Sequence, residues 1–124
     1  LSLFIDAVVA LQSESGGRRG SPFGNLAAEL ADAHEGFRVR IEAVFERWAS
    51  QIRSLLWEAR PQLQDDVDAV RLSRFIIAAL EGAVLMTRVK RDLSVLEGIA
   101  ADLKRFIAMH VRDGAAMPTH RNLE

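Results

Sequence analysis

Apolar residues along this chain recur mostly at intervals of three and four, which is the signature of helices that bury one face. The pattern is densest over residues 75–89 (FIIAALEGAVLMTRV), a helix-length run carrying one carboxylate, Glu81. At about 100° per residue, Ser73, Ile76, Leu80, Ala83 and Thr87 share one side of this helix, with Ile77 and Val84 on its shoulder. Phe75, Ala78, Gly82, Leu85 and Val89 share the other side in the alternating three-and-four rhythm of a coiled-coil seam, with Met86 beside them. One domain of this length covers one such side with its own core. A second apolar seam with small residues at its centre asks for another surface, and a second copy of the chain is the expected one. A mid-helix glycine costs about 1 kcal/mol relative to alanine, so Gly82 implies a close approach of helices.

The other segments are arranged around that helix. Residues 1–12 read as a helix without a cap, apolar nearly all round, and therefore as the tail of a longer buried helix whose natural upstream part is absent. Residues 13–20 (SESGGRRG) read as a loop in which Arg18 and Arg19 are solvated. Ser21-Pro22 starts a helix running to about residue 34, with Phe23, Leu26, Ala27, Leu30 and Ala31 on its apolar edge. Asn25, in its first turn, either completes that turn through a local hydrogen bond, the ordinary reading, or meets a polar group of a ligand.

Gly36 separates this helix from the next, which spans about residues 37–60 and stops ahead of Pro61. Its stripe is Phe37, Ile41, Val44, Phe45, Trp48, Ile52, Leu55, Leu56 and Ala59, whereas Val39 and Trp57 fall on the polar side. Asp65, Asp66 and Asp68 precede the central helix, where carboxylates suit the positive end of the helix dipole. They do not have the spacing of a calcium loop, because Val70 stands where glycine is needed and Ile76 where the bidentate glutamate is needed. Asp92 or Ser94 starts a last helix with Val95, Leu96, Ile99, Leu103, Phe106, Ile107 and His110 on one face. One helical domain over residues 1–111 is expected, with 112–124 as a disordered tail whose Leu123-Glu124 end resembles a tag linker.

Composition narrows the function. The 16 Lys+Arg against 17 Asp+Glu leave a net charge of −1, so no overall positive field is available to hold a phosphate backbone. The absence of cysteine removes disulfides and thiolate metal sites and fits a reducing compartment, which points to the cytoplasm. The apolar run at 75–86 is shorter than the roughly 18–20 residues that span a bilayer, so no membrane segment is expected. None of His34, His110 and His120 follows a glutamate by three residues, the bundle metal motif. No phosphate loop, nucleophile elbow or dinucleotide fingerprint is present either, so neither an enzyme nor a cofactor or metal is expected. Glu81 could hold a cationic ligand, but a carboxylate in such surroundings is more often paired with an arginine or placed at an interface rim.

Residues 21–31 (SPFGNLAAELA), then Gly36-Phe37-Arg38, Phe45 and Trp48, and then 75–83 (FIIAALEGA) with Arg88 together resemble the C-terminal domain of TetR/AcrR-type transcriptional regulators. The likeness covers roughly residues 20–107 in the right order. Many relatives carry cysteine where Ser21 stands, and the helix-turn-helix of such proteins is missing from this chain. The resemblance implies an all-α domain of about five helices that dimerises through a four-helix bundle. It also implies that the domain binds a small molecule and acts on DNA only through the missing N-terminal helix-turn-helix, as part of a repressor. The implied ligand space lies among Phe23, Asn25, Leu26 and Leu30, the stripe of Phe37, Ile41, Phe45 and Trp48, and Ile77, Leu80, Glu81 and Val84 of the central helix. Such walls suit a mostly apolar effector. The implied homodimer face is Phe75, Ala78, Gly82, Leu85, Met86 and Val89 with Leu96, Ile99, Leu103 and Phe106. The competing expectation is a structural dimerisation module with a filled core and no ligand.

Overall fold

The computed structural model describes residues 1–14 and 34–113. Among these the chain is all-α, with α1 (Ser2–Glu14), α2 (Glu35–Glu58), a short 3-10 helix (Arg60–Gln62), α3 (Ala69–Lys90) and α4 (Ser94–Ala108). The expected helix from Ser21, with Phe23, Asn25, Leu26 and Leu30, lies outside the described residues, as does the Arg18-Arg19 loop. Gly36, expected to separate two helices, is instead inside the first turn of α2, which begins one residue earlier.

Local chemistry sets the helix ends. Asp68 caps α3, its Oδ1 accepting the backbone N–H groups of Val70 and Arg71, both at 3.0 Å. At the other end Arg91 adopts left-handed backbone, φ 51, and the N–H groups of Arg91 and Asp92 both reach the Thr87 carbonyl. Asp92 then starts α4 by accepting the Ser94 N–H at 3.0 Å and the Ser94 hydroxyl at 2.7 Å. These two bonds hold the Asp92 carboxyl below the ordinary carboxylate range. Pro61 cannot continue α2, and the chain turns through the 3-10 helix.

Helix α3 is the centre of the packing, lying against α2, α4 and α1. Its inner side carries Leu72, Ile76, Ile77 and Leu80 into a core shared with Ile5 of α1, Ala49, Ile52 and Leu56 of α2, and Ala100 and Leu103 of α4. One turn further on, Ala83 and Val84 join Leu96 in a smaller cluster flanked by Val8, Val9, Leu93 and Ile99. The side of α3 expected to face the core is thus the buried one. Helix α1 is less enclosed than its composition implies, because Leu3 and Leu11 are exposed while Ile5 is fully buried. It is tied to α4 by an ion pair from Lys104 to Asp6.

Arg112, expected to open a loose tail, is fastened. Val111 forms an isolated antiparallel bridge with Leu63, and the Gln64 N–H donates to the His110 carbonyl at 2.9 Å. The Arg112 N–H donates to the Gln62 carbonyl at 2.7 Å. Its guanidinium donates to the Leu63 carbonyl and to Asp65, closing the end of α4 onto the α2–α3 connection.

Candidate functional site

The two sides of α3 lead to two distinct features. On the side toward α2, an open groove of about 290 Å³ is lined by Phe45, Glu46 and Ala49 of α2 and by Arg74, Ile77, Ala78 and Glu81 of α3. Phe45 meets Trp48 edge to face, with ring centroids 5.6 Å apart. Glu46 pairs with Arg74 at 3.4 Å and with Arg53 at 3.6 Å, so two guanidinium groups fix one carboxylate at the rim. All three residues of that network are partly or largely exposed, so it contributes little to stability and mainly shapes the rim.

Of the expected pocket residues, the structure brings Phe45, Ile77 and Glu81 together at this groove. Ile41 is buried, and Trp48 is half-buried beside Phe45. Phe37 is exposed at the start of α2, with its ring against His34. Leu80 and Val84 do not line the groove. Each belongs to a core cluster already filled by the chain's own side chains, because the inner side of α3 is wider than a single pocket wall. Ala78, expected on the outward seam, borders the groove. Glu46 and Arg74 were not legible as lining residues, since each falls on the polar side of its own helix and only the pairing between helices places them together.

On the outward side of α3, Phe75, Leu85, Met86 and Val89 are exposed at 47%, 53%, 46% and 76%. Phe106 of α4 extends this surface, its ring centroid 4.8 Å from that of Phe75 and 4.8 Å from that of His110. Leu96 and Leu103, expected on the same face, are instead 0% and 4% exposed within the core and have almost no surface to offer a partner. Ile99 is half-buried at the smaller cluster. The periodicity of α4 groups these residues correctly but does not say which flank of a broad apolar face points inward.

A second groove, of about 300 Å³, lies at one end of this outward surface, lined by Asp66, Val67, Asp68, Arg71, Leu72, Phe75, Phe106 and His110. The Nδ1 atom of His110 is 2.9 Å from the Phe106 carbonyl, a hydrogen bond that orients the ring over Phe106. Among the described residues no group of three or more His, Cys, Asp or Glu is placed to hold a metal ion. No helix among them is long and apolar enough to cross a membrane.

The sequence matches the family model described as the LmrA/YxaF-like transcriptional regulator C-terminal domain over residues 1–102. The fold is similar to that of the regulatory protein TetR from Rhodobacter sphaeroides, with a TM-score of 0.77 and 26% identity, covering 89% of this chain and 57% of that one. It is also similar to a TetR transcriptional regulator from Chloroflexus aurantiacus, with a TM-score of 0.72 and 32% identity, covering 87% of this chain and 59% of that one. The chain therefore spans less than two thirds of the length of both structures. No curated protein matches it.

Proposed function

This chain belongs to the family of LmrA/YxaF-like C-terminal domains of TetR-type transcriptional regulators, and on that premise we propose that it is the effector-binding and homodimerisation domain of a cytoplasmic transcriptional repressor. DNA is contacted by a helix-turn-helix in a part of the protein outside this chain. The observation that most supports the reading is the division of labour on α3. One flank borders an apolar groove with Phe45, Ala49 and Ile77, and the adjoining outward face exposes Phe75, Leu85, Met86 and Val89. A single helix that touches both a ligand and a second subunit can transmit one to the other.

The effector is a mostly apolar small molecule, because Phe45, Ala49, Ile77 and Ala78 offer apolar surface, the Glu46–Arg74 pair stands at the rim, and Glu81 is the one other charged lining residue. Its action is a population shift between two dimer geometries, and its leverage is limited to its differential affinity for them.

A thermal-shift screen with apolar compounds tests this. A ligand present at a hundredfold excess over Kd stabilises by about 2.7 kcal/mol. Binding should also change the emission of Trp48, measured in a Trp57→Phe background because Trp57 is solvent-facing with Arg60 stacked over it at 4.7 Å. Phe45→Ala should weaken that binding and leave the dimer intact. If the variant bound normally but separated into monomers, groove and interface would have been assigned to the wrong sides of the helix.

A further inference from the structure

Helices α2 and α3 meet at the groove of Phe45, Ala49, Ile77 and Ala78, and among the described residues one ion pair joins them. Arg74 of α3 reaches Glu46 of α2 at 3.4 Å, and both residues line the groove. That separation is long for a charge-assisted hydrogen bond, which ordinarily measures about 2.7–2.9 Å. The Arg74 side chain is also 63% exposed, so the pair is weakly held.

Glu46 does not depend on Arg74 for its counter-charge. Its second oxygen, Oε2, has Arg53 of the same helix at 3.6 Å, and Arg53 is the more enclosed of the two cations, at 29% exposure. When Arg74 turns to another anion, Glu46 keeps a guanidinium beside it and no carboxylate is stranded. The mouth of the groove thus holds two guanidinium groups against one carboxylate, and Arg74 is the one that can be released. Glu81 is the remaining charged residue of the lining. It stands seven residues from Arg74 on α3, which is ~10 Å along a helix and about one Debye length in ~0.1 M salt. It also has a partner of its own. An anion at Arg74 is therefore largely screened from it.

We propose that the effector of this groove is an apolar acid, whose carboxylate takes Arg74 from Glu46 while its body covers Phe45, Ala49, Ile77 and Ala78. Arg74 then selects the charge of the ligand, and binding exchanges the ion pair between α2 and α3 for one between α3 and the ligand. The inference rests on the effector-binding reading above and adds to it the chemical class of the ligand and the residue that recognises it.

Three probes that share one skeleton test it: phenylbutyrate, the neutral phenylbutanamide and the cationic phenylbutylamine, each titrated against Trp48 emission in the Trp57→Phe chain. The acid should bind about fivefold tighter than the amide, the upper range for an exposed ion pair, and the advantage should shrink as salt is raised. Arg74→Gln should bring acid and amide to the same affinity. Glu46→Gln removes the competing carboxylate and should tighten the acid further. Both side chains are largely exposed, so neither variant disturbs the core. Opposite effects from the two halves of one ion pair are what a merely structural contact does not give. Amide or amine binding as tightly as the acid, or a Glu46→Gln chain that loses the acid as Arg74→Gln does, overturns the inference and leaves the groove reading standing. Binding of none of the three probes overturns that reading, and this inference with it.

Discussion

Replacing Thr87 by valine should stabilise the chain. Thr87 is on the inner side of α3 with 0% of its surface exposed, and its hydroxyl has no hydrogen-bond partner among the described residues. Ser73, the other fully buried polar residue of that helix, shows the ordinary solution by donating to the Val70 carbonyl at 2.8 Å. A buried hydroxyl left unpaired costs about 1–3 kcal/mol relative to its hydrated state. Valine keeps the branched shape, has nearly the same helix propensity, and sits beside Ala83 and Val84. The expected gain is about 1–2 kcal/mol, or roughly 4–8 °C in Tm for a domain of this size. Urea titration at fixed protein concentration reads it as a higher midpoint with an unchanged slope. Thr87→Ser is the control, because it keeps the hydroxyl and loses one buried methyl group, costing about 1 kcal/mol. A valine variant less stable than wild type by about 1 kcal/mol or more would mean that the hydroxyl is paired in the folded state, and the reasoning would be refuted.

Three further outcomes follow from particular contacts. Arg112→Ala removes the bonds that fasten the end of α4 to Leu63 and Asp65 and should lower stability by about 1 kcal/mol in the same titration, a modest value because the guanidinium is half-exposed. The Asp92 carboxyl is held below the ordinary range by the Ser94 hydroxyl and amide, so its contribution is present above about pH 4 and fades as the pH falls through its folded value. Asp92→Asn should therefore lose less stability than wild type on acidification between about pH 5 and 3, and equal slopes would show that the Asp92–Ser94 contact is not titrating. Gly82→Leu should keep the protomer's helicity, since no described residue comes within 4 Å of where its Cβ would sit, while disrupting self-association in sedimentation velocity. An unchanged dimer would remove the close-approach argument.

Much of the fold was legible because helix periodicity and end chemistry are local. Asp68 stands before a long apolar run and does cap α3, and Pro61 stops α2 where a proline must. Ser73, Ile76, Leu80, Ala83 and Thr87 share a face by spacing alone, and all five are buried. What depends on the meeting of distant segments was not legible. Leu96 and Leu103 fall on the apolar face of α4, but only the position of α3 and α1 around that helix decides that they fill the core while Phe106 faces out. Leu80 and Val84 are likewise claimed by the core clusters before any groove can use them. Arg112 lies in a stretch whose composition reads as a tail, and its guanidinium bonds reach 47 to 49 residues back along the chain. The Glu46–Arg74 pair at the groove rim is of the same kind, joining two helices through residues that each helix alone assigns to solvent.

Native mass spectrometry of the chain tests homodimerisation and small-molecule binding beside α3 in one spectrum. The expected predominant species has twice the mass of the 13.8 kDa chain, with added apolar effector retained on it at one per protomer and lost in Phe45→Ala. A spectrum dominated by the single chain at micromolar concentration, with no compound retained from an apolar library, would contradict both.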